Sequence, residues 1–345
     1  MTSAGLGAAQ GLSAPRAGSS EPLLDVRHVV QEFAARAPNG RPAVVRAVSD
    51  VSFTVNRGET VAIVGESGSG KSTLGRSLLL APRPKSGEII FDGGDLMKMK
   101  GRELLGVRRN IQMIFQDPFT SLDPKWRVAH IIEEPLIVHR FGTKKERAAR
   151  VDELLRLVGL DPVIYTNRRP AQLSGGQSQR VAIARALALS PSIIVCDEAV
   201  SSLDVLIQAQ VLNLFEDLRE RFGLSYVFIA HDLSLVKQVS DKVLVMYMGK
   251  LCEIAPVSSL YVRPSHPYTA ALLESIPSLV PGADRQELGE AISGEPPSPV
   301  NPPSGCRFRT RCPYSQQVCA TEEPMMRELA PGHFVACHFP LREAM

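Results

Sequence analysis

The chain reads as an α/β protein built on a mostly parallel, doubly wound sheet, and three features of its 345 residues predict this. A glycine-rich loop, Gly65-Glu66-Ser67-Gly68-Ser69-Gly70-Lys71-Ser72-Thr73, sits between a β-branched apolar run and a helical repeat. Short apolar strands then alternate with stretches of helical periodicity, the pattern of a sheet with helices on both faces. Several of those strands end in polar residues, at the carboxyl edge where open sheets of this kind bind ligands.

Taken in order, Leu23 to Val30 and Val44 to Val55 read as strands around a loop holding Pro38-Asn39-Gly40. Val51, Phe53 and Val55 alternate with polar residues, as in a half-buried antiparallel strand. Thr60 to Val64 is the buried parallel strand feeding the glycine loop, and Leu74, Leu78 and Leu79 follow at helical spacing. Gly87 to Gly93 is another short strand, and Asn110 to Gln116 an apolar one closed by Gln116-Asp117-Pro118. Two helical stretches come next; the second sets Val151, Leu154, Leu155 and Val158 on one face and stops at Gly159. Leu173-Ser174-Gly175-Gly176-Gln177 opens a long helix with Val181, Ile183 and Ala184. Ser192 to Cys196 is a buried strand ending in Asp197-Glu198. Asp204 to Phe222 is a helix, Ser225 to Ala230 a strand, and His231 stands at that strand's carboxyl end. From Ile276 to Gly305 the chain turns proline-rich, with Pro277, Pro281, Pro296, Pro297, Pro299, Pro302 and Pro303, and reads as a linker or extended wrap. Four of the six cysteines lie beyond it.

The totals narrow the function. With 44% hydrophobic and 22% charged residues the composition is that of an ordinary globular protein. A net charge of +3 favours no nucleic-acid partner at this length. No apolar run approaches the ~18 residues that span a bilayer; the longest, Val243 to Met248, has strand length. The first twenty residues, rich in Ala, Gly and Ser, lack the layout of a secretory signal and read as a disordered tail. A cytosolic setting follows, with reduced or metal-bound cysteines.

The glycine loop fits G-x-x-x-x-G-K-[ST], in which free amides and a helix dipole face a phosphate. Lys71 can reach the β- and γ-phosphates, and the Ser72 hydroxyl can take a place on Mg²⁺. Asp197 is the expected magnesium carboxylate, and Glu198 is placed to polarise the attacking water. Neighbouring strand residues point to opposite faces, so the two carboxylates need separate roles.

Leu-Ser-Gly-Gly-Gln at 173–177, between the glycine loop and Asp197-Glu198, resembles the ATP-binding cassette (ABC) ATPases over about Leu23 to Leu260. The remaining motifs stand in order: Gln116 at the Q-loop, Ser201-Ser202-Leu203-Asp204 at the D-loop, then His231. The resemblance implies a cassette with a mostly parallel core, an antiparallel β-subdomain and a helical subdomain. It implies that ATP and Mg²⁺ are held by Gly65, Glu66, Ser67, Gly68, Ser69, Gly70, Lys71, Ser72, Thr73, Gln116, Asp197 and His231. Catalysis falls to Glu198, His231, Gln116 and Lys71, with Ser72, Gln116 and Asp197 around the metal and Phe33 stacked on adenine. Ala199 replaces the family's common proline after Asp-Glu, with no loss of hydrolysis expected. Ser174, Gly175 and Gly176 form a second helix-opening anion site away from the chain's own phosphate loop, which implies a partner. In the family, cassettes pair head to tail, so Ser174, Gly175, Gly176, Gln177 and Asp204 would act in trans.

The short gap from Asp117 to Gln172, the single cassette and the position of the cysteines favour a transporter motor over DNA- or ribosome-associated relatives. Ser265-His266-Pro267-Tyr268-Thr269-Ala270-Ala271-Leu272-Leu273, Pro302-Pro303-Ser304-Gly305-Cys306 and Phe308-Arg309-Thr310-Arg311-Cys312-Pro313 resemble the oligopeptide/dipeptide importer ATPases, and the cassette looks most like their F-type subunit. That implies peptide uptake, with nickel or another small solute as the alternative cargo. It also implies a second ABC ATPase as heterodimer partner, two membrane permease subunits, an extracytoplasmic peptide-binding protein, and a place on the cytoplasmic face of the inner membrane. Every motif of both half-sites is present, so a homodimer stays open. Cys306, Cys312, Cys319 and Cys337, separated by five, six and seventeen residues, could hold zinc, hold an iron–sulfur cluster or simply pack. The resemblance implies a [4Fe–4S] cluster. The expected layout is a tail at 1–20, the nucleotide-binding domain at 21–260 with its helical subdomain at about 118–190, and the extension at 261–345.

Overall fold

Alternate side chains of one central sheet feed two different apolar cores, and that division arranges the molecule. The computed structural model describes residues 21–36, 40–201, 203–276 and 297–342. The expected tail, Pro38, Asn39, Ser202, and Pro277, Pro281 and Pro296 lie outside the described residues.

Strands β1 (Leu24–Arg36) and β2 (Pro42–Val55) form an antiparallel pair that runs past the expected ends, because pairing continues to Ala35↔Ala43 and Arg36↔Pro42. β3 (Thr60–Val64), fully buried, leads through the glycine loop into α1 (Lys71–Leu78). β4 (Ser86–Phe91) and β5 (Gly94–Asp95) join β1 and β2 in a four-stranded sheet of order β2-β1-β4-β5. After α2 (Gly101–Arg108) and β6 (Ile111–Ile114) comes a helical stretch: α3 (Pro118–Ser121), α4 (Val128–Val138), α5 (Lys144–Leu157), α6 (Pro162–Tyr165) and α7 (Gly175–Leu187). The chain returns through β7 (Ile193–Asp197), α8 (Val205–Phe222), β8 (Ser225–Ala230), α9 (Leu233–Val239), β9 (Lys242–Tyr247) and β10 (Lys250–Pro256). It continues into α10 (Val257–Leu260), α11 (Pro267–Glu274), β11 (Arg327–Ala330) and β12 (His333–Val335).

The second sheet has the order β11-β12-β10-β9-β3-β8-β7-β6. Its five strands from β9 to β6 are parallel, whereas β10, β12 and β11 add on antiparallel. Val61, Ile63, Ile193, Val195, Val227, Ile229, Leu244 and Met246 pack with the β-subdomain and α1. Ala62, Val64, Ile194, Cys196, Tyr226, Phe228, Val243 and Val245 face the other core, shared with α4, α5, α7 and α8. Period-two alternation therefore lets one buried sheet carry both layers.

Helix ends follow local chemistry. Thr143 and Glu146 bond reciprocally at the start of α5, as do Ser174 and Gln177 at the start of α7. Asp204 accepts from the Ile207 N–H at 3.0 Å to open α8, and Gly223, at φ 63°, closes it.

Described residues after 260 pack against the cassette. Phe308 and Tyr268 belong to the core under β9, and β12 pairs with β10 through Glu253↔Val335 and Ile254↔Phe334. Glu253 is the buried knot of this seam. Its carboxylate accepts from the N–H groups of Ser265 (2.8 Å) and His266 (2.9 Å) and from His333 Nε2 (2.6 Å). Ser259 Oγ lies 2.9 Å from the other nitrogen of His333, so the imidazole spans the strand edge and α10. Burial drives the pKa of His266 down to about 4, against the pull of Glu253; neutral, its ring accepts from the Tyr268 N–H at 3.0 Å and caps α11.

Replacing Glu253 by Ala leaves two buried amides without partners and is expected to cost about 2–4 kcal/mol of stability. A shift of the urea midpoint measures it; a cost below about 1 kcal/mol would show that water or a neighbour replaces the carboxylate.

Candidate functional site

Gly65 follows β3, Gln116 follows β6, Asp197 ends β7 and His231 follows β8, so four parallel strands deliver these residues to one sheet edge. The loop needs glycine where it crosses its neighbours. A Cβ on Gly65 (φ 149°) would lie 2.1 Å from the Met246 carbonyl oxygen, and one on Gly70 (φ 102°) 2.1 Å from that of Ala47. Gly70 also opens α1 in a left-handed conformation with no side-chain cap, leaving the first-turn amides for a ligand anion.

Lys71 is buried along the loop floor, where Nζ donates to the carbonyls of Gly65 and Glu66, both at 2.8 Å. Burial lowers its pKa, and Glu198, Asp197 and Glu66 partly offset this. Ser72 Oγ donates to Asp197 Oδ1 at 2.6 Å. The other Asp197 oxygen is buried without a hydrogen bond, its nearest cation being Arg76 at 3.7 Å. Burial raises the Asp197 pKa, while the Ser72 bond and Arg76 pull it back.

One residue on, Glu198 leaves the strand at φ 48°, a left-handed conformation costly for a side chain with a Cβ. Its Oε2 accepts from Gln116 Nε2 at 2.7 Å and lies 3.6 Å from His231 Nδ1. Asp197 and Glu198 thus meet different partners: the first faces the glycine loop, the second the Gln116–His231 pair. Phe33, on β1 opposite Val45, keeps 37% of its surface exposed.

None of the hydrogen bonds of Ser174 to Gln177 reaches the loop. Their capping box is joined to Tyr165 through Gln177 Nε2 (3.0 Å), and Gly175 and Gly176 lie against Leu203 and Ile207. Asp204 is exposed, followed by Val205 and Leu206 with 78% and 77% of their surfaces bare. Of the D-loop motif, Ser202 lies outside the described residues.

Cys306, Cys312, Cys319 and Cys337 line one small pocket with Phe308 and His338. Burial pushes the Cys312 thiol up to about 11 and the Cys337 thiol up to about 12, with the neighbouring cysteines adding to the shift. Among the described residues no three His, Cys, Asp or Glu side chains are disposed around a single metal ion. A cavity of about 390 Å³ lies elsewhere, between the extension, β10 and the residues around Asp50; the phosphate loop does not line it.

Two contacts to the loop carry no sequence signal. Tyr268 OH accepts from the Glu66 N–H at 2.8 Å, and Arg311 forks onto the Glu66 carboxylate at 2.8 and 3.0 Å. Both partners lie more than 200 residues downstream, in segments read only for their likeness to a family.

Residues 48–201 match the family model described as "ABC transporter", and residues 252–319 match "Oligopeptide/dipeptide transporter, C-terminal region". A putative peptide import ATP-binding protein of Brucella ovis is 49% identical over 316 residues, 92% of this chain and 97% of that protein. The oligopeptide transport ATP-binding protein AppF of Bacillus subtilis is 48% identical over 325 residues, 93% of this chain and 98% of that one. Among solved structures, the dimeric ATP-binding cassette MJ0796 in a post-hydrolysis state with ADP and phosphate superposes with a TM-score of 0.61. It is 30% identical and covers 68% of this chain and 98% of its own. The cassette fold, with its antiparallel subdomain and helical insertion, is thereby shown. No helix among the described residues is long and apolar enough to cross a membrane.

Because burial raises the Asp197 pKa in the folded chain, the folded chain binds this proton more tightly than the unfolded one. Its contribution to stability is therefore greatest at acid pH and falls as pH rises through the raised value. Asp197→Asn is expected to melt above the native chain at neutral pH without magnesium, and the gap should close on acidification. A gap that widens on acidification would reverse the assignment.

Proposed function

This chain belongs to the ABC transporter ATP-binding family and is an ATPase of the oligopeptide/dipeptide importer type; from that premise we propose how its residues divide the work. The observation that carries the division is the split at the end of β7, where Asp197 holds Ser72 and Glu198 meets Gln116 and His231.

The uncapped start of α1, the close-packed glycines and Lys71 fit a triphosphate. The buried, unpartnered Asp197 oxygen beside Ser72 fits a hard divalent cation, with Gln116 as a further ligand. Mg²⁺ held there would supply charge neutralisation across the β- and γ-phosphate oxygens. Lys71 would turn its ammonium from the Gly65 and Glu66 carbonyls to the phosphates. Glu198 would orient and polarise the attacking water while Gln116 holds its carboxylate in place, and His231 would donate to the γ-phosphate. Phe33 offers an exposed ring for adenine.

We place Ser174, Gly175, Gly176, Gln177 and Asp204 on the partner cassette's nucleotide. Support comes from their separation from the chain's own loop and from the bare Val205 and Leu206 beside Asp204, apolar surface of the kind a partner covers. A different ABC ATPase is the proposed partner, bound with two permease subunits at the cytoplasmic face of the membrane, and a peptide is the proposed cargo. A nucleotide-binding domain at 21–260, with its helical subdomain at about 118–190, and an extension from 261 are part of this proposal.

Cys306, Cys312, Cys319 and Cys337 would hold a [4Fe–4S] cluster. The reading rests on the four-thiol donor set lining a single pocket. Such a cluster would staple a segment with little apolar core of its own.

Glu198→Gln is expected to keep ATP binding while turnover falls about 100-fold or more, as loss of a general base does. Turnover near the native rate would remove Glu198 from the water-polarising role. Anaerobic purification should yield a coloured protein with iron and labile sulfide; a colourless, iron-free product overturns the cluster.

A further inference from the structure

Glu66 is the second residue of the phosphate loop, and every polar group it has is occupied. Its N–H donates to Tyr268 OH (2.8 Å), and its carbonyl accepts from Lys71 Nζ (2.8 Å) and from the Ser69 N–H (3.2 Å). Its carboxylate receives the parallel fork of Arg311, Nη1 to Oε2 at 2.8 Å and Nη2 to Oε1 at 3.0 Å. Tyr268 and Arg311 both come from the region after 260, 202 and 245 residues along the chain.

The anchor behind this contact is rigid. Tyr247, Tyr268 and Phe308 are buried, with ring centroids 4.7, 5.2 and 5.3 Å apart. The Arg311 N–H donates to the Phe308 carbonyl (3.0 Å), which fixes the start of the side chain against that cluster. Arg311 Cζ lies 5.8 Å from the centre of the Tyr247 ring, and Nη1 reaches the Tyr247 hydroxyl at 3.4 Å. Its side chain is only 10% exposed and that of Glu66 28%, so solvent screens the pair weakly. A planar guanidinium with two parallel bonds constrains orientation as well as charge.

A carboxylate in this loop has an evident cost, because it adds negative charge where a polyphosphate must dock. The Glu66 carbonyl also positions Lys71, so motion of residue 66 would move the ammonium. We propose that Arg311 is a positioning residue for nucleotide binding: by neutralising and pinning Glu66, the C-terminal extension sets the affinity of the phosphate loop for ATP. Arg311 makes no hydrogen bond to Glu198, Gln116 or His231, so its effect falls first on binding, through the charge of Glu66 and the placing of Lys71. The inference rests on the ATPase reading above.

The test is a titration of the purified full-length chain with Mg-ATP at several ionic strengths. Arg311→Ala is expected to weaken binding about tenfold at low salt, with the defect shrinking as salt screens the freed carboxylate. Adding Glu66→Gln to Arg311→Ala should recover most of the loss, which a purely structural role of Arg311 would not allow. In turnover assays KM should shift by a larger factor than kcat. Native affinity in Arg311→Ala, or a double variant as weak as the single one, overturns the proposal. If Arg311→Ala is not recovered folded, Arg311→Gln keeps the bulk without the charge and should show the same loss; native affinity there also overturns it. A native chain with no affinity for ATP would instead overturn the nucleotide reading, and this inference with it.

Discussion

The approach of the glycine loop to its neighbours constrains everything around it. Gly65 passes the Met246 carbonyl and Gly70 that of Ala47 with no room for a side-chain carbon. Those two contacts tie the loop to the sheet edge at β9 and to the β-subdomain at β2. The loop is thus clamped between two sheets, and the first turn of α1 carries no side-chain cap. A phosphate site made of backbone donors works only if the backbone cannot yield, because reorganisation at binding would consume the affinity that fixed donors provide.

The same sheet edge separates the two carboxylates. Asp197 still belongs to β7 and keeps strand geometry, so it is buried facing Ser72. Glu198 takes a left-handed turn, and its backbone N–H is held by the Ile229 carbonyl at 3.0 Å. A strained residue persists where its surroundings over-determine it, and here those surroundings are β8 and the Ser201 hydroxyl on its own carbonyl at 2.9 Å. Consecutive residues with different backbone conformations reach different partners, so one strand end sets one carboxylate against Ser72 and the next against Gln116 and His231.

Much of this was legible in the chain. The parallel strands are short β-branched runs, so β3, β7 and β8 could be placed to within a residue, and with them the sheet edge where the candidate site residues gather. Gln116, Asp197, Glu198 and His231 could be placed because they fall at the carboxyl ends of β6, β7 and β8, Asp197 and Glu198 together at the end of β7. The strands β11 and β12 were not legible, since they are four and three residues long and depend on pairing for their form, β12 with β10 and β11 with β12. The Glu66–Arg311 fork was not legible either. Neither residue has a local pattern that announces a partner, and the contact exists only because Phe308 docks between Tyr247 and Tyr268. The hairpin of β1 and β2 outran its expected ends because cross-strand pairing, not side-chain alternation, holds its far end.

The antiparallel strands beyond β9 also bear on solubility. A sheet that stopped at β10 would present the bare amides and carbonyls of Leu251 to Ala255, an apolar edge open to another strand. β12 covers that edge through Glu253 and Ile254, and the new rim, β11, is only four residues long and carries the exposed charges of Arg327 and Glu328. Short, charged rims resist edge-to-edge stacking. The C-terminal segment therefore doubles as a guard against self-association, and its evolutionary loss would expose the motor to aggregation even if hydrolysis survived.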